Sequence, residues 1–477
     1  MSKPNSKILH GLLLATTGLV ASTVIASTAA AHGGGGAPTG GGPTGPTVVV
    51  GSATITNNSN SKTTVNQTSN KALINWDSFS IPTGSTVQFV QPNSNAIAVN
   101  RVTGNNASTI DGALLANGNV WLINANGILF GSHSQINVGA LIATTSDINN
   151  DDFKNGKYTF QPASNANASV DNKGTITVNQ GGSVVLSAPQ VSNEGLIQAN
   201  LGTVVLGGAK AFTVDLNGDN LLTYEITAPV TSAPKTGDHG SVAAALVSNS
   251  GQIEAAGGRV ILTTRAAQNV QDNVINNTGM VEATTVSSHN GEIDLDAGAN
   301  GTVNDSGTLD TSGSDHGETG GAVNVTGNTI NIADHATINA SGDAGGGTIQ
   351  IGGGLHGQGS LAHAQNTNVG NATIRADATG TGNGGTVVLW SDGNTSVSGT
   401  ITSKGGAHGG NGGEIETSGQ NFVVGNTTDV ETSAPLGLTG EWLIDPKEID
   451  VGLVEAFVID LALRSTNITL QATGNRG

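Results

Sequence analysis

Five glycines, Gly174, Gly195, Gly251, Gly279 and Gly307, recur at spacings of 21, 56, 28 and 28 residues, each opening a short alternating strand. "NKGTITV" is followed by "GGSVVLSA", "NEGLIQA" by "LGTVVLGG", "NSGQIEA" by "GGRVILTT", "NTGMVEA" by "NGEIDLDA" and "DSGTLDT" by "GGAVNVTG". Later copies pair "HATINAS" with "GGTIQIGG", "NATIRAD" with "GGTVVLWS" and "SGTITSK" with "GGEIETSG". A unit of two short strands and tight corners cannot cover its own apolar side. It becomes stable only when stacked on its neighbours. A propeller blade would use four strands in about 40 residues. Two or three strands in 21 to 28 residues fit one turn of a parallel β-helix better, and the 56-residue gap reads as a repeat plus an insertion.

Along such strands alternate side chains share a face. The inward set is then Ile176 and Val178, Val184 and Leu186, Ile197 and Ala199, Val204 and Leu206. These residues are small or branched, which suits a narrow interior, and only 3% of the chain is aromatic. Roughly 15 to 18 coils from residue 48 onward, stacked at about 4.8 Å, predict a rod about 70–85 Å long. The expected fold class is all-β, a parallel β-helix with an N-terminal cap and an inserted β-hairpin. The net charge of −18 argues against nucleic acid as a partner, because phosphate contacts need clustered Lys and Arg.

The N-terminus carries export information. Lys3 and Lys7 precede a mostly apolar stretch from Ile8 to Ala26, and Ala29-Ala30-Ala31 supplies small residues for cleavage. Residues 1–31 are therefore expected to be a signal peptide, and 32–47, rich in Gly and Pro, a leader. No later segment has 18 consecutive apolar residues, so none is expected to span a bilayer as a helix. The chain has no Cys, hence no disulfide could lock it during passage through an oxidising periplasm.

Residues 48–165 are less regular and hold Trp76, Phe79, Phe89, Trp121 and Phe130. Because a stack needs its open end covered, this aromatic cluster is assigned to the cap and first coils. The densest apolar stretch after the N-terminus, "VWLINANGILFGSHSQINVGALIATTSDI", breaks at Asn124-Ala125-Asn126-Gly127. Asn-Gly tolerates positive φ and reads as a turn.

In order, "NWDSFSI", "VQFVQP", "AIAVNRVTG", "STIDGALLANGNVWLINANGILFG" and "INVGALIATTSDI" resemble the haemagglutination-activity domain. That is the secretion domain at the N-terminus of filamentous-haemagglutinin-like exoproteins, including high-molecular-weight adhesins. "GNGGTVVLWSDG" and "TGEWLIDP" are similar to the stems of such proteins. The resemblance implies two-partner secretion: Sec export to the periplasm, then an outer-membrane β-barrel transporter, then folding outside a Gram-negative cell as a right-handed β-helix. The family's Asn-Pro-Asn-Gly-Ile motif aligns with Asn124, Ala125, Asn126, Gly127 and Ile128, with Ala125 in place of Pro. These five residues are expected to form a turn, with transporter recognition as a second role. The implied organisation is a secretion domain at 48–165, a repeat stem at 166–440 and a further or truncated repeat at 441–477. The implied function is a secreted adhesin or surface filament whose receptor the sequence does not name. The alternatives are a contact-dependent toxin delivery protein and a β-helical polysaccharide-degrading enzyme.

Few residues suggest other chemistry. Asp215, Asn217 and Asp219 alternate as in a calcium loop, but Asn220 stands where Gly is needed and Ile226 where Glu is needed. An exposed hairpin between 208 and 245 is the preferred reading. The ten His are scattered without a zinc motif. No cofactor is expected. Glu254, Glu282, Asp294, Asp296 and Asp310 fall on outward strand positions, and Arg259, Arg265 and Arg375 read as isolated. An enzyme is therefore not expected, since glycan cleavage needs carboxylates grouped on one face.

Overall fold

Alternating β-branched strands with glycine corners produce three faces that wind around one narrow core. The computed structural model describes residues 42–472, apart from 60, 163–164, 166, 217–221, 233, 237–240, 268–269, 271–273 and 448–451. The expected signal peptide and most of the leader lie outside these residues. One face stacks 15 strands, from Thr47–Val50 to Asn467–Leu470. Beyond the first pair, its strands are parallel and in register: Val184 lies beside Val204, then Val260, Ile293, Val323 and Ile349. The two other faces run as columns, one through Gln190–Asn193 and Val247–Asn249, the other through Leu196–Gln198 and Gln252–Glu254. The fold is a parallel β-helix. Its stack of 15 strands on the first face spans about 67 Å at roughly 4.8 Å per step, just below the expected length.

All eight residues assigned inward, from Ile176 to Leu206, belong to the main core. The pivot glycines form a column. A Cβ on Gly195 would sit 2.1 Å from the Gly174 carbonyl oxygen, and one on Gly251, Gly279 or Gly307 would sit 2.2, 2.1 or 2.1 Å from the carbonyl below. Only glycine lets successive corners approach this closely. Beside that column runs a buried amide ladder. Asn172 donates to Asn193 at 2.8 Å, Asn193 to Asn249 at 2.8 Å, Asn249 to Asn277 at 2.9 Å and Asn277 to Asp305 at 2.8 Å. Each amide thus supplies the partner that its neighbour needs inside the stack.

The expected N-terminal cap is present, and of the aromatic residues assigned to it and the first coils only Trp121 departs. The N-terminal end is covered by backbone: Thr47–Val50 runs antiparallel to Lys71–Trp76, and Ala53–Ser59 antiparallel to Lys62–Gln67. Trp76, Phe79, Phe89 and Phe130 fill the inside of the first coils, whereas Trp121 points out of the stack into a second core. At the other end, the helix Leu453–Ala462 buries Val458 and Ala462 against the last coils, and Asn467–Leu470 then rejoins the first face. The region after residue 441 is thus a further coil interrupted by a helix.

That second core explains the insertion. Asp147–Ile148, Tyr158–Gln161, Ala211–Leu216 and Leu222–Ala228 form a four-stranded antiparallel sheet outside the helix. Trp121 meets Tyr158 edge-on at 4.9 Å, Phe160 stacks on Phe212 at 4.4 Å, and Phe212 on Tyr224 at 5.1 Å. The hairpin expected between 208 and 245 is present, and it is only half of this sheet. The other half comes from the excursion between 147 and 161.

Candidate functional site

Asn124 ends the strand Asn119–Asn124, and its side chain faces the loop that follows the strand Ile97–Val102 on the preceding coil. Its amide donates to the Asn106 carbonyl at 3.0 Å and to the Ser108 hydroxyl at 2.9 Å, while its own Oδ1 accepts from the Asn126 backbone N–H at 2.9 Å. The Gly127 N–H closes the turn onto the Asn124 carbonyl at 3.0 Å. Asn126 donates its side-chain amide to the Gly104 carbonyl at 3.0 Å. Gly127 holds φ at +108°, which a side chain would strain. Ile128 turns inward and starts the next strand beside Ser108 and Val170. Asn124, Gly127 and Ile128 are buried, and Ala125 and Asn126 are half-buried. The motif is a side-chain-locked turn that clamps one coil to the previous one.

Asp215 lies exposed near the end of its outer-sheet strand, while Asn217 and Asp219 fall outside the described residues. Among the described residues no three potential ligands come together as a metal site.

The outward carboxylates are half-buried and ordered by the stack. Glu254, Glu282 and Asp310 share one column, in register on adjacent coils. Burial and the like charges of Asp310 and Glu254 push the Glu282 carboxyl above its ordinary value. Arg259 and Arg265 correct the sequence reading, because they are paired rather than isolated. Arg259 lies 2.5 Å from Asp294 and 3.2 Å from Glu292, and Arg265 lies 2.5 Å from Asp296. Partners some 30 residues apart become neighbours because one coil separates them, a relation that linear spacing hides. Burial and the nearby Asp294 raise the Glu292 carboxyl despite Arg259.

These pairs floor a groove of about 510 Å³ between the helix and the outer sheet. The strand Leu222–Ala228 forms its wall. Asn324 donates to Asp294 at 2.9 Å, and Thr326 to Asp296 at 3.1 Å, so polar groups of three successive coils are tied together along the floor. Nothing in the sequence flagged this groove beyond the insertion that builds its wall.

A parallel β-helix with an antiparallel cap and an outer sheet defines a class, the secretion domain of exported β-helical proteins, and the comparisons specify it. The family model for the TPS secretion domain matches residues 40–311, reaching past residue 165 into the repeats. The chain belongs to this family, that of two-partner secretion exoproteins. It is similar to a heme/hemopexin-binding protein of Haemophilus influenzae, 33% identical over 262 residues, which cover 53% of this chain and 27% of that protein. A second protein of that description from Haemophilus influenzae is 30% identical over 272 residues, covering 52% of this chain and 27% of its own length. The chain therefore spans about a quarter of the length of these relatives. Among solved structures it is similar to the HMW1 secretion domain from Haemophilus influenzae, at 31% identity and a TM-score of 0.70, over 85% of this chain and 100% of that one.

Proposed function

We propose that this protein is a secreted adhesin or surface filament, delivered to the outside of a Gram-negative cell by a dedicated outer-membrane β-barrel transporter, and that it is not an enzyme. The observation that carries the reading is the secretion-domain match lying on a single continuous stack. A rod about 67 Å long, held by hydrogen bonds between neighbouring coils, displays a large surface without needing a membrane or a disulfide. The buried state of Asn124 adds a condition on transporter recognition. A transporter that reads the Asn124 side chain must do so before the turn forms, because the folded coil leaves it no exposed surface.

The test uses the purified exported protein in two assays: binding to immobilised cell-surface material and release of reducing ends from polysaccharides. Saturable binding without turnover supports the proposal. Release of reducing ends without saturable binding replaces it with the enzyme reading.

A further inference from the structure

The groove beside the outer sheet has the parts of a carbohydrate site, and we infer that it binds a short, neutral oligosaccharide. This goes beyond the adhesin reading, because the groove is built by the stack and its outer sheet themselves, partly within residues 40–311 and partly beyond them at Asn324 and Thr326, whatever the whole protein does.

Three features point to a sugar. The first is a rigid aromatic surface. Tyr224 stacks on Phe212 at 5.1 Å and its hydroxyl is held by Ser187 at 2.8 Å, so the ring is fixed while its half-buried remainder lines the groove. With Ile226 and Ile261, the part of this ring that reaches the groove gives it an apolar side against which the C–H face of a pyranose can pack.

The second is a ready-made array of planar polar groups. The Asp294 carboxylate is held between Arg259 at 2.7 Å and Asn324 at 2.9 Å. The Asp296 carboxylate is held by Arg265 at 2.5 Å, Thr326 at 3.1 Å and the Gly298 N–H at 2.9 Å. Each group is oriented before a ligand arrives, which lowers the ordering cost of binding. Arg259 and Arg265 keep 42% and 40% of their side-chain surface exposed, so they stay reachable. Carboxylate, amide and guanidinium together offer acceptors and donors to adjacent hydroxyls. The coil spacing of about 4.8 Å is comparable to the length of one sugar ring, so residues of a linear glycan can follow successive coils.

The third is size and charge. A volume of about 510 Å³ lies within the range of small-ligand sites and suits two or three sugar rings. Two carboxylates, Asp294 and Asp296, line the groove with two guanidiniums, and Glu292 beside Arg259 brings a third, so each guanidinium is already neutralised and carboxylates are in excess. The residual negative field disfavours sulfated or sialylated glycans.

The experiment probes the exported full chain on a printed array of neutral, sialylated and sulfated oligosaccharides, followed by calorimetry with the best neutral trisaccharide. The expected result is binding of neutral glycans, weakened about tenfold in Asn324→Ala at an unchanged melting temperature. If Asn324→Ala lowers the melting temperature, Thr326→Val is read in its place, with the same weakening expected. No neutral glycan above background, a preference for sulfated or sialylated glycans, or undiminished binding in the stable variant overturns the inference. Cell binding without glycan binding removes this site while leaving the adhesin proposal standing.

Discussion

Asn124 donates its side-chain amide to the Ser108 hydroxyl at 2.9 Å from a position with no solvent exposure. The residue that begins the family motif is thus a structural clamp between coils. Asn124→Ala strips Asn106, Ser108 and the Asn126 N–H of one partner each, and should destabilise the fold by about 2–3 kcal/mol. Ala125→Pro is expected to act the other way. Ala125 is the second residue of a turn closed by Gly127 on Asn124, a position that favours Pro, so the gain should reach up to about 1 kcal/mol. Melting curves of both variants check this. An Asn124→Ala protein as stable as wild type would sink the clamp.

Val204 lies in the middle of a β-branched column, between Val184 and Val260 on adjacent coils, and is fully buried. Val204→Asp should cost about 3–5 kcal/mol, since the new charge finds neither water nor a partner. Each coil leans on its neighbours, so the damage should be local. Limited proteolysis should cut near residue 204 faster than in wild type, while the coils beyond residue 366 stay protected.

The glycine column makes a different prediction. A Cβ at position 279 would sit 2.1 Å from the Gly251 carbonyl, so Gly279→Ala must push two coils apart. The expected loss is about 3 kcal/mol. The same change at Gly181, around which a Cβ meets nothing within 4 Å, carries a cost from its φ of +77° alone, about 1 kcal/mol. Denaturant titrations that rank the two in reverse order would contradict the column.

Asp305 ends the buried amide ladder, and its second carboxylate oxygen has no hydrogen-bond partner. Burial outweighs the hydrogen bonds from Asn277 and Gly307 and pushes its pKa up to about 6, from 3.8. The folded pKa lies above the unfolded one, so the folded state holds this proton more tightly. The stabilising contribution is complete below about pH 3.8 and is lost as pH rises through about 6. Asp305→Asn should therefore stabilise this part of the stem by about 2 kcal/mol at pH 7.5 and leave it unchanged near pH 4. Stability curves of variant and wild type that run parallel from pH 4 to 7.5 would rule this out.

The stem was legible because its period is local. Gly195, Gly251, Gly279 and Gly307 mark the corner of successive coils, and strict alternation such as Glu292-Ile293-Asp294-Leu295 separates inside from outside. The outer sheet was half legible. The 56-residue spacing showed that something is inserted, but its packing depends on Trp121 and Phe160, which are remote in sequence from Phe212 and Tyr224. A signal for it exists: Trp121-Leu122-Ile123, Val184-Val185-Leu186 and Val204-Val205-Leu206 are apolar on both faces, which an uncovered strand does not tolerate. The ion pairs of Arg259 and Arg265 could not be read from spacing, because they follow from which residues the coil places one step apart. Burial of Asn124 was likewise hidden, since a turn residue is usually expected at the surface.

The most direct test of the whole account is export in a Gram-negative host carrying or lacking the cognate outer-membrane transporter, read by protease accessibility on intact cells. Protease-accessible protein, outside or on the cell, is expected only when the transporter is present, and periplasmic protein when it is absent. Periplasmic retention with the transporter present, or equal export without it, would contradict the account.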